Sequence, residues 1–179
     1  MNLTRSRLML TFGAAFLSLS AYAAGSDASR GNLADADRTF LENATQGSYA
    51  EVEGSQLAQE KTQSADVKEF AATMIKDHTA MIKELAELSK TKGYTPPDGP
   101  SVVQATELKA LSALSGGAFD KMYVDRIGVA SHEATIEQFE EATKEVQDAD
   151  VKALAEKSLP KLRHHLEMAQ ALNEKQKSQ

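Results

Sequence analysis

The chain of 179 residues contains no cysteine and no tryptophan, and only four prolines. Each absence excludes something. Without cysteine there is no disulfide, no thiolate metal site and no sulfur nucleophile, so stability has to come from packing. Three of the prolines fall together at 96, 97 and 100, which leaves long stretches free of helix breakers. No G-x-S-x-G turn, phosphate-cradling glycine loop or H-E-x-x-H pair occurs, so nothing marks a serine hydrolase, a nucleotide site or a zincin. No nucleophile or substrate pocket is signalled, and an enzyme is the third choice among functions. After the first two dozen residues no run is apolar enough to cross a bilayer.

The first 23 residues read as a secretory signal peptide. Arg5 and Arg7 precede an apolar run from Leu8 to about Leu19, and Ala21-Tyr22-Ala23 forms a small-x-small cleavage site. Cleavage near Ala23 implies export, to the periplasm. Without Arg5 and Arg7 the chain keeps 18 of its 20 basic residues against 26 acidic ones, a net charge of −8. An acidic surface of this kind argues against nucleic acid as a partner. No protein partner or oligomeric state can be read from the residues.

Abundant Ala, Glu, Lys, Gln and Leu point to an all-α chain. After a polar, flexible tail (24–34), the periodicity predicts helices over about Asp35–Thr62, Ser64–Thr91, Ala118–Val146 and Asp148–Lys175, with a frayed end at 176–179. A short helix, about Val102–Leu114, lies inside the 94–117 connection. Ser64 and Asp148 are N-caps, and Asp66 and Asp150 sit in the positive first turns. "QSADVK" at 63–68 recurs as "QDADVK" at 147–152, an offset of 84 residues. Two related hairpins, neither able to bury its apolar face alone, should pack as one four-helix domain over 35–175. The connection is long enough to run the length of a bundle, which favours the ferritin-like crossover arrangement.

Three of the four histidines interrupt apolar stripes. His78 falls between Met74 and Met81, and His165 between Leu162 and Ala169. His132 continues a stripe read as Met122, Val129, Ile136 and Phe139. His164 points outward. On the first helix Glu51 interrupts Phe40, Ala44, Gly47, Gly54 and Ala58, while Glu53 faces away. Each helix thus offers one ionisable inward group. Glu51 and His78 lie 13 and 14 residues from the Ser64 cap, and His132 and His165 lie 16 and 17 from Asp148. At the helical rise these are heights of roughly 20–26 Å, so all four fall near mid-bundle.

Burying four unpartnered polar groups is costly, and a divalent transition metal relieves that cost with imidazole and carboxylate ligands. Glu51, His78, His132 and His165 are the expected ligands of one zinc, copper, iron or nickel ion. Asp77, Asp125 and Glu133 are expected to orient the rings, Asp125 foremost because it lies two turns from His132 on the same face. Met74 and Met81 are possible soft ligands, or core gap-fillers. The Glu-x-x-His motif of di-iron bundles is absent, since Ile75 and Leu162 stand three residues before His78 and His165. The competing reading is a metal-free interaction module with a buried His/Glu network. Pro160 either kinks the last helix, freeing the Glu156 carbonyl near His165, or starts a new one.

These residues also carry a family resemblance. "AEVEG", "MIKDH", "GGAFDKMYVD" and "LPKLRHHLEMAQAL" resemble the DUF4142 family of exported bacterial proteins, over about Asp37 to Leu172. The resemblance implies a ferritin-like four-helix fold and supplies no established activity. It marks Glu51, Asp77, His78, Phe119, Asp120, Tyr123, His132, Leu159, Pro160 and His165 as recurrent positions. One departure is Ser131, where an aspartate before His132 would match the Asp77-His78 pair. If that aspartate supports the histidine in relatives, its loss weakens metal binding here.

Overall fold

The computed structural model describes residues 33–178. The expected signal peptide, most of the tail and Gln179 lie outside the described residues. Helices α1 (Asp35–Lys61) and α2 (Ala65–Thr91) form the first hairpin. Helix α3 (Val102–Ser112) lies in the crossover. The next rod is α4 (Gly116–Met122), a π-helical segment (Tyr123–Ala130) and α5 (Ser131–Glu145), followed by α6 (Ala149–Lys177). No strand occurs among the described residues.

The boundaries follow from capping chemistry. The Ser64 hydroxyl accepts the Val67 N–H, and Asp148 accepts those of Asp150 and Val151, which satisfies first-turn donors the helix leaves free. Asp37, buried to 1% exposure, accepts the Ala34, Gln147 and Asp148 N–H groups, tying the start of α1 to the turn before α6. Two expectations shift at the ends. Leu33, assigned to the tail, is buried in the core, and Gln176 and Lys177 continue α6 where fraying was expected.

Polar contacts at the two ends give the path. Lys92, at the end of α2, pairs with Asp148 and Asp150 at the start of α6, which Asp37 ties to the start of α1. At the other end Lys61 donates to the Leu114 carbonyl, and Lys175 of α6 pairs with Asp66 of α2. Hence α1 rises, α2 descends, the crossover climbs the full length, the π-containing rod descends and α6 rises. The four rods form a square in which α1 neighbours α2 and α5, and α6 neighbours α5 and α2. A single long crossover is the connectivity of ferritin-like bundles.

The core has two apolar halves. One contains Phe40, Leu41, Met81, Leu85, Phe139, Val151 and Leu162. The other contains Phe70, Met74, Phe119, Tyr123, Ile127 and Ala169. His78 follows Met74 and precedes Met81, His132 lies between Ile127 and Phe139, and His165 between Leu162 and Ala169. The histidines therefore form a polar layer between the halves.

The π segment changes the phase of its rod. A turn that takes in an extra residue lets neighbours face inward together, so Tyr123 with Val124 and Ile127 with Gly128 are buried. Met122 and Val129, placed on the inward stripe by regular helical counting, are only partly buried. Gly128 is required here because a Cβ would lie 3.0 Å from the Ala169 Cβ on α6. Helix α6 is continuous through Pro160, so no new helix starts there. Pro160 and Glu156 are both exposed, which puts the carbonyl freed by the proline on the solvent side rather than at the site.

Candidate metal centre

The layer brings His78, His132 and His165 together, with ring centroids 5.3–5.5 Å apart. All three are at most 1% exposed, as is Glu51. Each ring can bring one nitrogen within 4.8 Å of the nitrogens from the other two.

The outward nitrogen of each ring meets an acceptor. His165 Nε2 is 3.0 Å from Asp77 Oδ2. His132 Nδ1 is 3.2 Å from the Ile127 carbonyl oxygen. His78 Nδ1 is 2.8 Å from Glu51 Oε2, although the carboxylate lies off the ring N–H direction and no directed hydrogen bond forms. A carbonyl or carboxylate can only accept, so His132 Nδ1 and His165 Nε2 carry the proton. His78 Nε2, His132 Nε2 and His165 Nδ1, the remaining ring nitrogens, have no hydrogen-bond partner. Three buried rings thus bring partnerless nitrogens together in the core.

Burial pushes the His165 pKa down to about 4 against the pull of Asp77, and it depresses His132 against the pull of Glu51. Burial would raise the Glu51 carboxyl, but attraction to His78 and His132 and the approach of the His78 ring and Ser131 hydroxyl hold it at about 2. Burial works the same way on Asp77, and hydrogen bonds from His165 and Lys161 outweigh it, so this carboxyl is also lowered. Glu51 is therefore a buried anion, held ionised by the His78 and His132 rings and the Ser131 hydroxyl.

The four inward groups expected from helical phase all reach the layer, in different positions. The histidines converge, whereas Glu51 stands behind two of them, 3.6 Å from His132 Nδ1 as well as against His78. Asp77 supports His165 rather than its neighbour in sequence, His78. Asp125 does not reach His132. The π segment turns it away, and it pairs with Lys121 at 2.6 Å. Glu133 is exposed, because the residue after an inward helical residue points about 100° away from it. Met74 and Met81 lie in the apolar halves on either side of the layer. His164 and Glu53 face solvent, as their phase predicts.

Two supports could not be assigned from regular periodicity. Ser131, the departure from the expected Asp-His pair, donates its hydroxyl to Glu51 Oε1 at 2.8 Å. The Ile127 carbonyl reaches His132 because the π segment breaks the regular i→i+4 pattern, with the Ser131 N–H bonding back to Arg126. The one available signal was the five-residue step from Ile127 to His132, which suits a π turn and not an α turn. Tyr123, a recurrent position, is fully buried and hydrogen-bonded to Ser55 at 2.8 Å. Burial raises its phenol above the usual range.

Fold and site together define an all-helical bundle with a buried tri-histidine layer that could hold a metal ion. The chain belongs to the DUF4142 family: the family described as "Domain of unknown function (DUF4142)" matches residues 23–172. Two solved DUF305 structures share the fold. One, from Streptomyces coelicolor, is 14% identical with a TM-score of 0.67, covering 79% of this chain and 93% of that one. The other, a fragment from Deinococcus radiodurans, is 13% identical with a TM-score of 0.70, covering 80% and 98%. A search of curated proteins finds no significant match.

Proposed function

We propose that this chain is an exported, periplasmic bundle protein that binds one transition-metal ion through His78 Nε2, His132 Nε2 and His165 Nδ1. Glu51 and Asp77 orient the rings and balance the ion's charge, and the protein serves metal handling or envelope stress. The observation that carries this reading is the convergence of three buried rings, with one nitrogen from each within 4.8 Å of the others. His132 and His165 each have an acceptor on one ring nitrogen and nothing on the other, and His78 has Nδ1 against Glu51 with Nε2 unpartnered. Partnerless ring nitrogens are costly to bury, and one cation satisfies all three. Carboxylate or carbonyl support behind a ligating imidazole is the usual second layer of such sites.

Three imidazoles without thiolate suit zinc, copper, nickel or iron. Bonds of about 2.0–2.1 Å would draw the nitrogens closer than they stand here. Residues 1–23, with their basic start, apolar run and Ala-Tyr-Ala end, support export.

A metal-free module is the second reading, favoured by the 2.8 Å Glu51–His78 contact, which a shared proton would stabilise. Elemental analysis of untagged protein purified from the periplasm separates the two. Near-stoichiometric metal supports the first. Metal-free protein with no thermal response to zinc, copper, nickel or iron overturns it.

A further inference from the structure

The layer is sealed, since no histidine in it is more than 1% exposed. An ion has to pass a side chain to reach it, and two groups that touch the layer also border surface cavities. On one face Asp77 lines a space of about 60 Å³ between α2 and α6, together with Ala80, Glu84, Lys157 and Lys161. On another, Ser131 lines a cleft of about 430 Å³ among α1, the crossover helix α3 and the π segment with α5.

Resting on the metal reading above, we infer that the larger cleft is the vestibule through which a hydrated divalent cation reaches the histidines, with the Ser131 hydroxyl as its inner gate. Volume decides first. The cleft offers about 430 Å³ against about 60 Å³ in the smaller cavity, more room for an ion that arrives with its water. Charge decides next. The smaller cavity carries two lysines, and its two carboxylates are already engaged, Asp77 by Lys161 and Glu84 by Lys157. The cleft instead presents neutral oxygens from Asn43, Gln46, Thr135 and Gln138, and its one arginine, Arg126, is neutralised by Glu107 at 3.1 Å. Such oxygens can replace hydration waters one at a time.

The floor of the cleft is the reverse side of the site. It includes Ala50, next to Glu51, and Ile127, whose carbonyl holds the His132 ring. Ser131 lies between cleft and carboxylate, donating to Glu51 Oε1. Rotation of its small side chain exposes that oxygen to an arriving cation. The crossover therefore does more than connect hairpins, because α3 forms the outer wall of the vestibule.

The test plugs each route and times metal uptake. Metal-free protein is mixed with cobalt(II), and its visible absorption is followed by stopped flow. Gly47 lines the cleft, and a Cβ there would meet nothing closer than 3.9 Å, so Gly47→Leu fills the vestibule without straining α1. The exposed Ala80, changed to leucine, fills the smaller cavity in the same way. Gly47→Leu should slow uptake about tenfold or more at unchanged equilibrium affinity, a rise of one to two kcal/mol in barrier, whereas Ala80→Leu keeps the wild-type rate. Equal rates for Gly47→Leu and wild type, or slowing by Ala80→Leu alone, overturn the vestibule while leaving the metal site standing. Wild-type protein that takes up neither cobalt nor zinc, copper, nickel or iron overturns both.

Discussion

Glu51 is the residue on which the site's charge balance turns. Replacing it with glutamine keeps the shape but removes the anion behind His78 and His132. Loss of such a support typically costs about 10–100-fold in metal affinity, and titration calorimetry of Glu51→Gln with zinc should show a loss in that range with the fold retained by circular dichroism. The histidines predict a pH dependence as well. His165 has an ordinary pKa of 6.5 when unfolded and about 4 in the bundle. Between those values the unfolded chain binds the extra proton, so stability rises with pH through this window and is lost as pH falls through it. His132 is shifted in the same direction, and Glu51, lowered to about 2, extends the acid loss below pH 4.5. The melting temperature of metal-free protein should therefore fall steadily from pH 6.5 to 4. A flat profile across that range would show that the rings are not held neutral.

Among the elements, the π segment is the one that shapes the centre. It aims the Ile127 carbonyl at His132, turns Asp125 outward and brings Gly128 against Ala169, one turn beyond His165. Gly128→Ala would place a methyl 3.0 Å from a Cβ held by its own helix, a contact that cannot relax by side-chain rotation. Overpacking of this kind costs about 1–3 kcal/mol, and spreading the two helices separates His132 from His165. Urea unfolding should show that loss together with weaker metal binding. The same substitution at an unconstrained helical glycine would be stabilising. Most of each rod was legible from periodicity, since the stripes on α2 and α6 are buried almost residue for residue. The π segment was not, because counting with a single period hides an inserted residue and shifts every position before it. Met122 and Asp125 were misplaced for that reason.

Taken whole, the molecule carries its polar layer between two apolar halves, so binding and folding are linked. An ion held only by the folded bundle stabilises it by about 4 kcal/mol when free metal exceeds the dissociation constant a thousandfold. Zinc should raise the melting temperature of the wild-type protein, and a chelator should reverse the rise. His132→Ala should abolish the response. The sequence by itself determined the helical class, the paired hairpins, the long crossover and the level of the four inward groups, because periods, caps and counts along a rod are local quantities. Tertiary structure alone decided which nitrogens of His132 and His165 meet acceptors, that Asp77 serves His165 and not His78, and that Ser131 secures Glu51. Those depend on which side chain from another rod arrives opposite, and residues 80 or more apart in sequence carry no local signal of meeting.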